Sequence, residues 1–334
     1  MEESLQDLIV SIPPPYVTAK CWGVLDGDDG SLLFGRNEHV PREMASITKV
    51  MTSYLVYRIM KRFKINPKKE MVTVSKYASG INGTSARLRE GDILCVYDLL
   101  HGVMLPSGND AATALAEHFA EIIKEDREKQ AVNSRNPRLA KQNSKGEWEF
   151  NKMIYGNSGI DTKKTPKSRN LVKLFVEEMN KTATLLEMHN TSYSNPHGMC
   201  VLGNSSTISD IGIISSQAMK ISLIRHIVKK KKFMCEGTNS KGLSRSHKWS
   251  NTNKMINKDP SYNGLKTGTT RSAGACLTAN FETDCLNLIV ITLNSSNDAC
   301  RWQDTAKLKD WAVDRLNSVE QYLESVKMKE ERGE

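Results

Sequence analysis

The chain has 334 residues, 39% hydrophobic and 25% charged, enough for a real core in one large domain or two small ones and too apolar for wholesale disorder. Its 47 Lys and Arg against 38 Asp and Glu give a net charge of +9, yet Ile122 to Asn170 alone holds 12 basic and 6 acidic residues. One segment therefore carries most of the excess, and the chain lacks zinc-finger spacing or interleaved aromatic and basic residues, which argues against a nucleic-acid-binding module.

Met1-Glu2-Glu3-Ser4 is acidic and leads into a short apolar patch from Leu8 to Ile12, without the basic start and longer apolar core of a secretory signal. No apolar stretch approaches the roughly 18 residues needed to span a bilayer. A soluble, cytoplasmic chain is expected, secreted only if the N-terminus given is incomplete. After Pro13-Pro14-Pro15, Ala19 to Asp26 reads as a strand, Gly27-Asp28-Asp29-Gly30 as a turn, and Ser31 to Asn37 as the returning strand. From Thr48 to Phe63 the period becomes helical, with Met51, Leu55, Ile59 and Phe63 on one stripe. Asp98 to Met104 and Ala111 to Ile123 read as further helices around a loop at Leu105-Pro106-Ser107-Gly108-Asn109. Residues 124–169 are polar, without sustained periodicity, and read as an insertion. Leu171 to Leu186 resumes a helix. Ala273 to Phe281 and Leu286 to Asn294 flank Glu282-Thr283-Asp284 as an antiparallel hairpin, and a last helix carries Leu308, Trp311, Arg315, Val319, Tyr322 and Val326. The predicted fold is α/β (α+β), an antiparallel sheet of N- and C-terminal strands flanked by helices, with an all-helical subdomain. One catalytic domain over 17–325 would contain the insertion 124–169 and end in a charged tail, 326–334.

Seven cysteines, at 21, 95, 200, 235, 276, 285 and 300, are odd in number and lie partly in apolar runs, so packed thiols are expected rather than a disulfide framework. There is no His-Glu-x-x-His and no close Cys and His cluster, so neither a metal nor another cofactor is expected.

Three short fragments bear on chemistry. Ser46-Ile47-Thr48-Lys49 stands at the start of a helix, where residues three apart share a face, so the Lys49 amine can reach the Ser46 hydroxyl. A serine hydroxyl needs a proton acceptor, and a lysine serves only when burial or nearby positive charge keeps it neutral. An ordinary helix cap at Ser46 with an exposed Lys49 explains the same letters. Ser107-Gly108-Asn109 reads equally as a turn and cap. Lys266-Thr267-Gly268 reads as a loop-to-strand junction, although on a strand Lys266 and Gly268 would face one side, offering a cation and an open approach to a carboxylate. Ser-x-x-Lys, Ser-Asp-Asn and Lys-Thr-Gly in this order mark β-lactamases and penicillin-binding proteins, here with glycine for the middle aspartate.

The sequence resembles the low-molecular-mass D-Ala-D-Ala carboxypeptidases of peptidase family S11 over about residues 17–120 and 171–315. The resemblance runs through Ala45-Ser46-Ile47-Thr48-Lys49-Val50-Met51-Thr52, Gly91-Asp92, Asp98-Leu99-Leu100 and Ser107-Gly108-Asn109-Asp110-Ala111-Ala112. It continues in Met179-Asn180, Asn195-Pro196-His197-Gly198, Gly264-Leu265-Lys266-Thr267-Gly268-Thr269-Thr270, Ala273-Gly274, and Arg301 with Trp311. It implies a β-lactamase/transpeptidase-like fold in which Ser46 forms an acyl-ester and Lys49 accepts its proton. Ser107 would relay a proton to leaving D-alanine and Asn109 would orient the peptide amide. Lys266 and Thr267, with Arg301, would hold the terminal carboxylate beside Gly268, and the Ser46 and Thr269 backbone N–H groups would form the oxyanion hole. His197 is expected to hydrogen-bond within its own turn. The implied partners are a peptide or another small substrate containing a D-amino acid, with β-lactams as covalent inhibitors.

Family members normally carry a signal sequence, often a second β-rich domain and an amphipathic anchor, and no counterpart of 124–169. Three competing readings are a β-lactamase-like hydrolase, with Glu147 in Glu147-Trp148-Glu149-Phe150-Asn151 as deacylating base, a non-catalytic scaffold of the same fold, and nucleic-acid binding through the basic insertion.

Overall fold

The computed structural model describes residues 13–133, 140–142, 148–150, 167–199, 203–239 and 241–332. Strands β1 (Cys21–Asp26), β2 (Leu32–Arg36), β9 (Tyr262–Thr270), β10 (Gly274–Glu282) and β11 (Asn287–Ser295) form one antiparallel sheet in the order β2-β1-β11-β10-β9. Cys21 opposes Leu293 and Asp26 opposes Leu288, so the two ends of the chain meet in the middle of the sheet.

Both faces of this sheet are covered, which is why its central strands read as continuous apolar runs. From β1, Cys21 and Leu25 enter one core while Trp22 and Val24 enter another, as the alternation of strand side chains requires. The first core also takes Ile289, Ile291 and Leu293 of β11 and the inner stripe of helix α6 (Ile208–Met219). The second core takes Leu277, Ala279, Leu288 and Val290, closed by Leu308 and Ala312 of helix α8 (Asp298–Arg332). Trp311 packs edge-on against Trp22 and Phe34, with centroids 6.1 and 4.8 Å away.

Helix α1 (Thr48–Phe63) begins at the predicted residue, and Met51, Leu55 and Ile59 of its stripe are buried. Helices α3 (Val96–Met104), α4 (Asn109–Asn133) and α5 (Lys167–Leu185) surround it. Two expectations change here. Helix α4 runs ten residues past Ile123, so the first part of the predicted insertion is helical. The subdomain beside α1 is not all-helical, because β3 (Met71–Thr73), β4 (Asp92–Cys95), β7 (Lys232–Asn239) and β8 (Ser244–Ser250) form a second antiparallel sheet in the order β3-β4-β7-β8. Strands of three and four residues are too short to show a period of two. Within the insertion, β5 (Ala140–Gln142) pairs with β6 (Trp148–Phe150), while Glu147 lies outside the described residues. The two short helices left in chain order are α2 (Lys76–Ser79) and α7 (Ser222–Val228).

Six described cysteines, Cys21, Cys95, Cys235, Cys276, Cys285 and Cys300, are unpaired, and Cys21 and Cys276 are fully buried. Among the described residues no helix is long and apolar enough to cross a membrane.

Candidate active site

Ser46 lies in a 3-10 turn, Ala45–Ile47, immediately before α1 rather than in its first α-helical turn. Ala45 has φ 47°, a left-handed conformation that a non-glycine residue adopts at a cost. Gly198, at φ 80°, comes so close beneath this turn that a β-carbon there would lie 1.9 Å from the Ala45 carbonyl oxygen. Segment 195–198 therefore braces the turn from below.

One helical turn on, Lys49 is completely buried with its Nζ 2.9 Å from Ser46 Oγ. The same nitrogen is 2.7 Å from Asn109 Oδ1 and 2.7 Å from the His197 carbonyl oxygen. Burial, and then the charge of Lys266, hold the amine well below the ordinary lysine range, with Asp110 pulling in the opposite direction. A neutral amine has two N–H bonds and one lone pair. Asn109 Oδ1 and the His197 carbonyl can only accept, so in the neutral form they would take both N–H bonds and the lone pair would be left for Ser46 Oγ, to which Nζ donates in this structure. The Asn109 amide is held in this sense because its Nδ2 donates to the Asn82 carbonyl at 2.8 Å.

Ser107 precedes α4 with φ 64° and is 3% exposed, and its Oγ has no hydrogen-bond partner among the described residues. The opposite wall is β9. Lys266 is completely buried and donates to the Thr267 carbonyl at 3.0 Å, while burial first and Arg301 second bring its amine down to about 7. At Gly268 a β-carbon would lie 2.7 Å from the Met44 carbonyl oxygen and 3.0 Å from the Ser46 nitrogen. Only a residue without a side chain lets β9 approach the serine turn so closely.

The D-alanyl-D-alanine carboxypeptidase family model, peptidase S11, matches residues 9–125 and 171–297. The chain belongs to peptidase family S11. The D-alanyl-D-alanine carboxypeptidase DacF of Bacillus subtilis is 26% identical over 302 residues, which cover 90% of this chain and 63% of that protein. DacC of Escherichia coli is 28% identical over 316 residues, covering 92% and 64%. The chain thus spans just under two thirds of the length of these relatives. The crystal structure of the Streptomyces K15 DD-transpeptidase shares the fold, with a TM-score of 0.72 and 27% identity, and the match covers 91% of this chain and all of that one.

In this S11 chain Arg301 sits behind β9. Its Nη1 donates to the Gly268 carbonyl (3.0 Å), Thr269 Oγ1 (2.9 Å) and the Cys276 carbonyl (3.2 Å), and Nη2 lies 2.9 Å from Asp298. Thr267 Oγ1 is 2.7 Å from Thr252 Oγ1. His197 Nδ1 accepts from the Met199 N–H at 3.2 Å, and burial, then Lys49, bring its imidazole down to about 3. The ring stays within its own turn, and the residue reaches Lys49 through its carbonyl oxygen. Direct contacts therefore join Ser46, Lys49 and Asn109, while Gly268 abuts the serine turn and Thr269 is tied to Arg301. Sequence reasoning missed the His197 carbonyl and the Asn82 to Thr84 segment, because a backbone acceptor leaves no signature in residue type.

Proposed function

We propose that this S11 chain is a serine D-alanyl-D-alanine carboxypeptidase with Ser46 as its nucleophile. The observation that carries the proposal is the fully buried Lys49 Nζ, 2.9 Å from Ser46 Oγ and held there by two oxygens that can only accept, Asn109 Oδ1 and the His197 carbonyl. Ser46 Oγ attacks the carbonyl carbon of the penultimate D-alanine as Lys49 takes its proton. The oxygen that gains negative charge is received by the Ser46 and Thr269 backbone N–H groups. The C–N bond breaks, Ser107 passes a proton to the departing amine, and D-alanine leaves. Water then attacks the ester and frees the serine. Asn109 orients the peptide amide, and Lys266 with Thr267 binds the terminal carboxylate, Arg301 holding the end of β9 in place. β-Lactams would acylate the same serine.

The test is covalent labelling with a fluorescent penicillin and release of D-alanine from a D-Ala-D-Ala peptide. Wild type should label and release D-alanine, and Ser46→Ala should do neither. A wild type that never labels would sink the acyl-enzyme reading, and rapid turnover of nitrocefin without D-alanine release would favour a β-lactamase.

A further inference from the structure

Resting on that reading of Ser46 and Lys49, we propose that Asp110 is a positioning residue. Its carboxylate fills the space beside Gly108 and clamps residues 85–88 onto the Ser107-Gly108-Asn109 turn, fixing the amide that orders Lys49.

Asp110 is 1% exposed and accepts four hydrogen bonds. Its Oδ1 receives the N–H groups of Ala86 (2.8 Å) and Ala111 (2.9 Å), and its Oδ2 receives Ser85 Oγ (2.6 Å) and the Leu88 N–H (3.1 Å). A carboxylate in the first turn of a helix is ordinarily explained by the helix dipole and its free N–H groups. Only one of these four bonds, that from Ala111, goes to α4. The other three cross to residues 85–88, so the principal work of the side chain is to join two segments.

Geometry at Gly108 gives the second observation. A β-carbon on residue 108 would lie 2.7 Å from Asp110 Oδ1 and 2.8 Å from the Ala86 nitrogen. The carboxylate thus occupies the ground where a side chain at the middle of the motif would stand, and glycine is what makes room for it.

The clamp continues to the reacting groups. Thr84 accepts the Asn109 N–H through its carbonyl (2.7 Å) and donates its hydroxyl to the Ser107 carbonyl (2.6 Å). The Asn82 carbonyl holds Asn109 Nδ2, which leaves Oδ1 turned to Lys49. The outer side of the segment is tied as well, since Trp249 Nε1 donates to the Ala86 carbonyl (2.9 Å) and Arg245 to the Arg87 carbonyl (2.7 Å). Asp110 touches neither Ser46 nor Lys49 and acts on them through Asn109. Its charge also opposes the two influences that depress Lys49, burial and Lys266.

The test follows the rate of acylation by a fluorescent penicillin from pH 5 to 10 in wild type, Asp110→Asn and Ser85→Ala, with thermal melting of each. Asparagine keeps the shape and the Oδ1 acceptor but presents an N–H₂ to Leu88. Acylation should fall about tenfold or more, as sub-ångström misplacement of a catalytic group does. Removing the negative charge should also move the rising limb of the profile to lower pH, because Lys49 then loses its proton more readily. Ser85→Ala keeps the charge and three of the bonds, so a fall of about threefold with the limb unmoved is expected. An unaltered rate and profile in Asp110→Asn would overturn the inference. So would a loss matched by lower melting with the limb in place, which would make Asp110 a residue of the fold alone. Should Asp110→Asn not fold, a wild-type rate in Ser85→Ala overturns the proposal instead. Absence of labelling in the wild type overturns the Ser46 reading itself, an outcome distinct from a labelled wild type beside an unaltered variant.

Discussion

The cleft around Lys49 and the aromatic stack around His101 bury basic nitrogens to the same degree and use them differently. Lys49 and His101 are both fully buried, and burial lowers both, the imidazole to about 4. In the cleft, the amine donates to two oxygens that can only accept and lies 2.9 Å from a serine hydroxyl. In the second region His101 gives its Nδ1–H to the Tyr97 carbonyl at 2.9 Å and stacks on Phe233, centroids 3.6 Å apart and planes 11° from parallel. Its Nε2 has no hydrogen-bond partner among the described residues, and the Lys230 ammonium lies over Phe233 at 4.8 Å, disfavouring a second cation. Desolvation favours the neutral form of a base. A neutral base activates a nucleophile only where its lone pair faces an O–H. The imidazole, with an apolar ring against its face, is packing.

The largest effect that would break this contrast is Lys49→Arg. Arginine stays charged at any working pH and has no lone pair to offer, so penicillin acylation should fall by about a thousandfold or more. Near-normal labelling in that variant would show that Lys49 is not the proton acceptor. A smaller effect is expected across the cleft in Lys266→Gln. Burial and Arg301 bring Lys266 to about 7, so the free protein holds an ammonium there below that value and loses it above. Productive binding of a carboxylate-bearing peptide should weaken as pH rises through about 7, which kcat/KM against pH will report. The glutamine variant should lose roughly a hundredfold in kcat/KM and this pH dependence with it. A profile that survives the substitution would transfer the titration to another group.

On the other side of the comparison His101→Phe sharpens the role of the stack. In the native protein His101 stays neutral down to about 4, whereas the unfolded chain takes up its proton near 6.5. The unfolded state therefore binds more protons between these values, and stability falls as pH drops from about 6.5 toward 4. The shift corresponds to about 3 kcal/mol, and the phenylalanine variant should show that much less acid sensitivity in melts taken at pH 6.5 and 4. Equal acid sensitivity in both proteins would mean that the imidazole is already charged where it stands.

What could be read along the chain follows from periodicity and spacing. The stripe Met51, Leu55 and Ile59 is the helix that presents Lys49 one turn from Ser46, and the apolar runs around Glu282-Thr283-Asp284 are the last two strands of the main sheet. A run buried on both faces announces itself in composition, and two residues three apart share a helical face whatever the fold around them. Strands β3 and β4 are not legible, because three or four residues cannot establish an alternation and β7, the partner that joins β4 to the rest of the sheet, lies some 145 positions on. Helix α4 is not legible past Ile123, since from Lys124 to Gln130 every residue is charged or polar and no apolar stripe marks a helical period.

By itself the sequence determined that a serine and a lysine share one helical turn, and that Ser107-Gly108-Asn109 and Lys266-Thr267-Gly268 accompany them in family order. Tertiary structure alone decided that Lys49 is dry, that a histidine carbonyl and an asparagine oxygen claim its protons, and that Asp110 ties residues 85–88 to the motif beside it. Those are contacts between segments up to 148 positions apart, made partly by backbone atoms that every residue possesses, and only the folded chain brings them within hydrogen-bonding distance.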